Sequence, residues 1–250
     1  MNKNQIVTLT FFRFVGFKNR WWAFQQMGFS KKRLRHLPGM SFGKMLGSGG
    51  GNGFDKMPNF GVYGLLGVWE DSDAAQHFFE TPSFFGELGE KASEHWTIFL
   101  HTYAAHGKWE DVAPFQMNTT YREGDPVAVL TRATIRTRHL RAFWKATPAV
   151  SHSLEAFLGK IFAIGIGELP LVQQVTFSLW ENSQAMKMYA YESHLHPKVI
   201  QQTHQQGWFK EALFARFVPY ATQGTWEGKN PLENYLNISS MLEKPAPDCE

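Results

Sequence analysis

The sequence predicts an α+β chain made of two tandem ferredoxin-like repeats, each βαββαβ, closed on one another as an intramolecular dimeric α+β-barrel-type fold. Three observations predict it. Leu66-Gly67-Val68-Trp69-Glu70-Asp71 resembles Phe177-Ser178-Leu179-Trp180-Glu181-Asn182 at an offset of 111 residues. Gly107-Lys108-Trp109-Glu110 resembles Gly224-Thr225-Trp226-Glu227 at an offset of 117, and Ala23-Phe24 matches Ala142-Phe143 at 119. The matches keep their order while the offsets drift by a few residues, as small loop insertions would produce.

The second repeat is the easier to read. Val127-Ala128-Val129-Leu130-Thr131 is β-rich, and Leu140, Phe143, Trp144, Val150, Leu154, Phe157 and Leu158 then recur at helical spacing. Thr147-Pro148 reads as a fresh helix start, because proline suits a first turn. Residues 161–167 form the next strand. Val175, Phe177 and Leu179 alternate with Gln174, Thr176 and Ser178 at a period of two. Asn182 or Ser183 caps a helix carrying Ala185, Met186, Tyr189 and Ala190, and residues 213–218 make the last strand. In the first repeat the strands fall near residues 6–13, 40–46, 61–69 and 95–103. Both halves follow the order of the ferredoxin-like motif. The boundaries are 1–110 for the first repeat, 111–125 for a linker, 126–232 for the second repeat and 233–250 for a loosely held tail.

Composition excludes several classes. Hydrophobic residues at 43% can fill a sizeable core, and aromatics at 15% suit a large apolar cavity or a bulky core equally. A net charge of +3 leaves no nucleic-acid footprint. The basic cluster Lys31-Lys32-Arg33-Leu34-Arg35-His36 reads as a solvated helix face, with a docking patch for an acidic protein as the lesser alternative. Cys249, the single cysteine, allows neither an intramolecular disulfide nor a cysteine metal site, which suits a cytoplasmic protein. The N-terminus does not read as a signal peptide. The longest nearly apolar stretch, 157–172, is interrupted by Lys160, Glu168 and Pro170 and makes no membrane span. The sequons at Asn118 and Asn237 are expected to be idle.

Residues 47–53, Gly-Ser-Gly-Gly-Gly-Asn-Gly, lack the lysine and the following helix of a phosphate loop. They read as a β–β connection that could act as a lid over a ligand. No H-E-x-x-H motif occurs, and Gly39-Met40-Ser41-Phe42-Gly43-Lys44, which has the letters of G-x-S-x-G and S-x-x-K, opens the strand at 40–46 rather than the strand-to-helix turn a nucleophile needs. Glu70/Asp71 and Glu181/Asn182 are explained as helix caps. An enzyme with this inventory borrows its chemistry from a cofactor. The repeats differ at one useful place: at the 111-residue offset His196 faces Phe85. A haem needs one axial imidazole, which an asymmetric histidine can supply. The competing reading makes His196 an exposed helix-start residue ahead of Pro197, and His194 and His204 are rival ligands.

Several stretches now carry a resemblance. They are Val127-Ala128-Val129-Leu130-Thr131-Arg132-Ala133, Gly165-Ile166-Gly167-Glu168-Leu169-Pro170 and Gln174-Val175-Thr176-Phe177-Ser178-Leu179-Trp180. Towards the end come His196, Val199-Ile200, Gly207-Trp208-Phe209, Leu213-Phe214-Ala215-Arg216-Phe217 and Gly224-Thr225-Trp226. In these the chain resembles the spheroidene monooxygenase family of carotenoid biosynthesis, over nearly its whole length to about Leu232. The resemblance implies a haem-dependent monooxygenase that twice hydroxylates a methylene carbon of an acyclic carotenoid to give a ketone. Its cofactor would be haem b, held noncovalently because no C-x-x-C-H occurs. His196 lies in the family's H-x-x-V-I stretch and is the first choice for the iron ligand. Arg132 and Arg216 would pair with haem propionates, or else are surface-facing strand residues. Departures are Pro197, the extra His194, and Gly50 and Asn52 where the family usually carries basic residues. Implied partners are a small apolar substrate and a ferredoxin-like electron donor, with peripheral membrane contact and a homodimer both admitted. Rival readings are a non-catalytic haem or apolar-ligand binder, haem degradation, and aldoxime dehydration.

Overall fold

A computed structural model of the chain describes residues 4–51, 53–81, 84–155, 157–192, 203 and 205–236. The first half contains β1 (Ile6–Arg13), α1 (Phe17–Leu34), β2 (Met40–Gly49), β3 (Pro58–Trp69), α2 (Ser72–Glu80), α3 (Phe84–Lys91) and β4 (Glu94–Gly107). The second contains β5 (Val127–Ile135), α4 (Leu140–Glu155), β6 (Lys160–Gly167), β7 (Gln173–Trp180), α5 (Ser183–Lys187, continued by a π-turn over Met188–Glu192) and β8 (Phe209–Gly224). The eight strands close a barrel in the order β1-β3-β2-β6-β7-β5-β8-β4, every neighbour antiparallel. The halves meet edge to edge. One seam, β4·β8, runs from Trp96–Gly224 to Gly107–Leu213. The other, β2·β6, consists of Gly47–Gly167 and Ser48–Ile166.

Strand alternation sorts the side chains into two layers. Val7, Leu9, Phe11, Leu130, Phe177 and Phe217 fill the barrel interior. On the outer face of the first half, Phe12, Phe14, Leu65 and Trp69 pack beneath Ala23, Phe78, Phe84 and Phe85 of the helices. Each such aromatic or leucine contributes about 1.5–3 kcal/mol by leaving water.

The repeated motifs do the same local work in both halves. Asp71 and Asn182 cap α2 and α5, accepting from the N–H of Ala74 and Ala185 at 2.9 Å each. The indoles of Trp69 and Trp180 donate to the hydroxyls of Thr8 and Ser178, again at 2.9 Å. Gly107 and Gly224 end β4 and β8 at φ +91° and +85°. A β-carbon there would stand 2.2 and 2.3 Å from the carbonyl oxygens of Ala212 and His95, so glycine is required. Beyond each glycine a tryptophan turns back, Trp109 onto Val112 and Trp226 onto Lys229.

These turns make two carboxylate cradles. Glu110 and Asp111 are left-handed, as are Glu227 and Gly228, so that successive N–H groups converge on one acceptor. Glu211 accepts from Glu110 at 3.2 Å and Asp111 at 2.9 Å. Glu94 accepts from Glu227 at 2.9 Å and Gly228 at 2.8 Å. Burial alone would raise both carboxyls, but the converging N–H groups, with Arg132 beside Glu211 and Arg13 beside Glu94, hold them below the usual range. A depressed folded pKa gives stability that is present above the unfolded value, about 4.3, and is lost as pH falls through the folded value. Thermal melts should therefore hold level down to about pH 4.3 and drop below it. An Arg13→Gln chain should lose part of that acid-dependent drop.

Some expectations are corrected. Pro148 lies inside α4 rather than at a helix start; it deprives the Trp144 carbonyl of its helical donor, and the Thr147 hydroxyl donates to the Phe143 carbonyl at 2.9 Å. Tyr235 and Leu236, assigned by sequence to the tail, pack against the barrel core, and the Tyr235 hydroxyl donates to Glu181 at 3.0 Å. The segment read as a linker is tied down: Gln5 donates to the Pro114 carbonyl and accepts from Gln116, and Asn118 accepts from the Thr102 N–H at 3.0 Å.

Candidate functional site

Strand register aligns the halves residue by residue. Ile6 pairs with Trp69 as Val127 pairs with Trp180. Counting along β1 and β5, Phe12 corresponds to Ala133, and their partners across the next strand are His95 and Ala212. In the same way Leu65 corresponds to Thr176 and Tyr63 to Gln174. At each of these outer-face positions the second half carries the smaller or more polar side chain. Phe12, Leu65 and Tyr63 are buried, whereas Ala133, Ala212, Thr176 and Gln174 are half-buried. At these positions the outer layer of the second half carries less side-chain bulk over its strands than that of the first.

A neighbouring position differs as well. Phe99 of β4 corresponds to Arg216 of β8, because Thr8 pairs with Phe99 as Val129 pairs with Arg216. Arg216 has no acidic partner among the described residues. Nearby, the buried Tyr103 hydroxyl finds no hydrogen-bond partner among them. Burial pushes the Tyr103 phenol up, and the Arg216 cation pulls partly the other way. Tyr103 stacks near Tyr121 at 5.4 Å and joins Val129, Ala163 and Phe54 against Trp180 and Tyr189.

The glycine-rich loop borders this layer. Gly53, at φ +87°, lies so close to β6 that a β-carbon would stand 1.9 Å from the Gly165 oxygen. On the other side of the loop a cleft of about 220 Å³ opens over the β2·β6 seam. Its walls are Phe24 and Met27 of α1, Phe60 of β3, Trp144 of α4, and Leu169 and Leu171 of the β6–β7 turn.

Among the sequence-predicted site residues, Arg132 and Arg216 are not brought together. Arg132 points into the barrel with Leu130, is 2% exposed, lies 5.6 Å from the Trp109 ring centroid and pairs with Glu211. Arg216 emerges on the opposite face of the sheet. His196, His194 and His204 lie outside the described residues. Phe85, aligned with His196 by the 111-residue sequence offset alone, stands over Phe12 and His95 at ring separations of 5.7 and 5.5 Å. Among the described residues no cluster of three His, Cys, Asp or Glu side chains could hold a metal ion by itself. Sequence reasoning missed Tyr103, Ala133 and Ala212. Extending the Phe85–His196 comparison to strand positions would have found the two alanines; nothing local marks Tyr103.

Among the described residues, then, the Tyr103 hydroxyl has no hydrogen-bond partner, Arg216 has no acidic partner, and Ala133 and Ala212 stand where the first half has rings. No family model matches the sequence. Spheroidene monooxygenase of Cereibacter sphaeroides is 38% identical over 245 residues, covering 97% of this chain and 76% of that protein. Spheroidene monooxygenase of Rhodobacter capsulatus is 34% identical over 241 residues, covering 96% and 98%. The chain belongs to the spheroidene monooxygenase family. It is therefore an oxygenase, as the resemblance implied. Among solved structures, an aldoxime dehydratase in complex with butyraldoxime superposes with a TM-score of 0.61 at 10% identity, over 94% of this chain and 86% of that one. A second aldoxime dehydratase gives 0.59 at 11% identity, over 87% and 82%. At such identities the likeness speaks for the α+β barrel alone. No helix among the described residues is long and apolar enough to cross a membrane.

Proposed function

We propose that this family member is a haem-dependent monooxygenase that oxygenates a methylene carbon of an apolar, carotenoid-like substrate, with haem b seated against the outer layer of the second half. The observation that carries the reading is the set of twin positions where Phe12 and His95 give way to Ala133 and Ala212. A planar macrocycle needs the space that those two rings occupy in the first half. The reading treats each half as a ferredoxin-like unit, supported by the identical strand orders β4-β1-β3-β2 and β8-β5-β7-β6.

The described residues that support the reading are Arg216, Tyr103, Val129 and Ala163. Arg216 would take a propionate in charge-assisted hydrogen bonds, and the Tyr103 hydroxyl would gain the partner it lacks. Val129 and Ala163 would offer apolar contact. His196 would hold the iron, since Phe85, aligned with it by the sequence offset, stands over the pair replaced by Ala133 and Ala212. Bound haem would supply oxygen activation, driven by electrons from a ferredoxin-like donor. The protein's part is to exclude water and aim one methylene at the iron. The seam cleft, lined by Phe24, Phe60, Trp144 and Leu171, would receive part of the apolar substrate.

Purified chain reconstituted with haem should show a Soret band and, with reductant and oxygen, convert an acyclic carotenoid to hydroxy and keto products. A haem-bound chain that instead dehydrates an aldoxime, degrades its haem or turns nothing over would replace this reading with the corresponding rival.

A further inference from the structure

Helix α1 breaks the local rules for a helix start. Its first turn carries Lys18 and Arg20, no acidic residue, and no side-chain cap from Gly16. The positive end of the helix dipole disfavours those cations. The bias is wider than one turn: no Asp or Glu occurs before Asp55, while α1 alone carries Lys18, Arg20, Lys31, Lys32 and Arg33. Its counterpart α4 carries Arg141 and Lys145, with Arg136 and Arg138 just ahead of it, and its one acid, Glu155, is its last residue. These two helices stand on either side of the seam cleft, α1 through Phe24 and Met27 and α4 through Trp144.

The same face is apolar where a globular surface is ordinarily polar. Phe17, Trp21 and Phe24 follow one another at helical spacing on one stripe of α1, and Phe17 and Trp21 are 82% and 53% exposed. Trp21 meets Phe24 at 5.8 Å, and Phe24 meets Phe60 at 5.3 Å. Met57, 70% exposed, extends the patch past Lys56, and Leu169 and Leu171 are exposed on the far wall. Exposed aromatics flanked by Lys and Arg are the makeup of a surface that lies in a lipid interface.

We propose that this face docks on an anionic lipid bilayer, with Phe17, Trp21 and Met57 inserted among the acyl chains and Lys18, Arg20 and Lys56 on the headgroups. The cleft mouth then opens directly onto the hydrocarbon. An apolar substrate passes from bilayer to protein without crossing water; that route rests on the function proposed above, whereas the docking does not. An acidic protein partner would satisfy the charges but would cap the mouth and leave no use for an apolar rim around it.

Co-sedimentation of the full chain with vesicles tests the docking without any turnover. Binding should be strong on phosphatidylcholine vesicles containing phosphatidylglycerol, weak on phosphatidylcholine alone, and reduced by salt. The Lys18→Gln/Lys56→Gln chain should bind roughly fivefold more weakly per charge removed. The Phe17→Ser/Trp21→Ser chain should bind more than about tenfold more weakly at low and high salt alike. Its circular dichroism melt should be unchanged, since neither side chain is in the core. Undiminished binding by that chain overturns the proposal. So does failure of the unaltered chain to bind phosphatidylglycerol vesicles, whether or not it binds an acidic protein such as a ferredoxin. Vesicle binding without oxygenation of a micelle-presented carotenoid would leave the docking standing and remove the proposed function; the reverse result would do the opposite.

Discussion

The His196→Ala chain will fold and lose its Soret band. The iron has one proposed protein ligand, and losing even an outer partner of a metal ligand costs about 10–100-fold in affinity or activity, so loss of the ligand itself should exceed that range. A neutral imidazole binds iron through one ring nitrogen while the other donates elsewhere. Free imidazole should therefore enter the cavity left by the side chain and partly restore the spectrum. His194→Ala and His204→Ala chains should keep theirs. Bleaching by His194→Ala with a normal His196→Ala spectrum would mean that the alignment on Phe85 is wrong by two residues.

The second large effect is on stability. Arg132→Ala should cost about 3–5 kcal/mol, the range for removing one partner of a buried ion pair. It leaves Glu211 in its cradle with N–H donors and no cation, and it opens a hole beneath Trp109. The urea midpoint should fall by the corresponding amount. Haem-reconstituted protein that remains folded should keep its spectrum, because Arg132 lies inside the barrel and Arg216 outside. Unchanged stability with a disturbed spectrum would restore Arg132 to the propionates.

The paired motifs legible in the sequence were those whose chemistry is local. Asp71 and Asn182 cap the helix that follows them, and Gly107 and Gly224 are required by a turn within their own motif. Such signals survive in a linear reading. Strands were legible because apolar and polar residues alternate along them, although their ends were underestimated: β8 runs through Gly224, well past the last apolar run. The cradles were illegible because Glu211 and Glu94 meet their N–H donors across a hundred residues or more. Arg132 read as a propionate partner or a surface strand residue because Glu211, with which it pairs, lies 79 residues away. Pro148 misled because it starts helices far more often than it interrupts them. At the site, the Phe85–His196 asymmetry was visible in the repeat, but the floor beneath it needed the register of four strand pairs.

The long β4·β8 seam has a consequence for the newborn chain. The edge of β4 is complete once Gly107 has left the ribosome, yet its partner ends at Gly224. At about 5–20 residues per second, that partner follows on the order of ten seconds later. Through this interval a fourteen-residue edge is unpaired, and such an edge is a template for another nascent chain. Vectorial synthesis thus makes the first half the aggregation-prone partner until the second arrives.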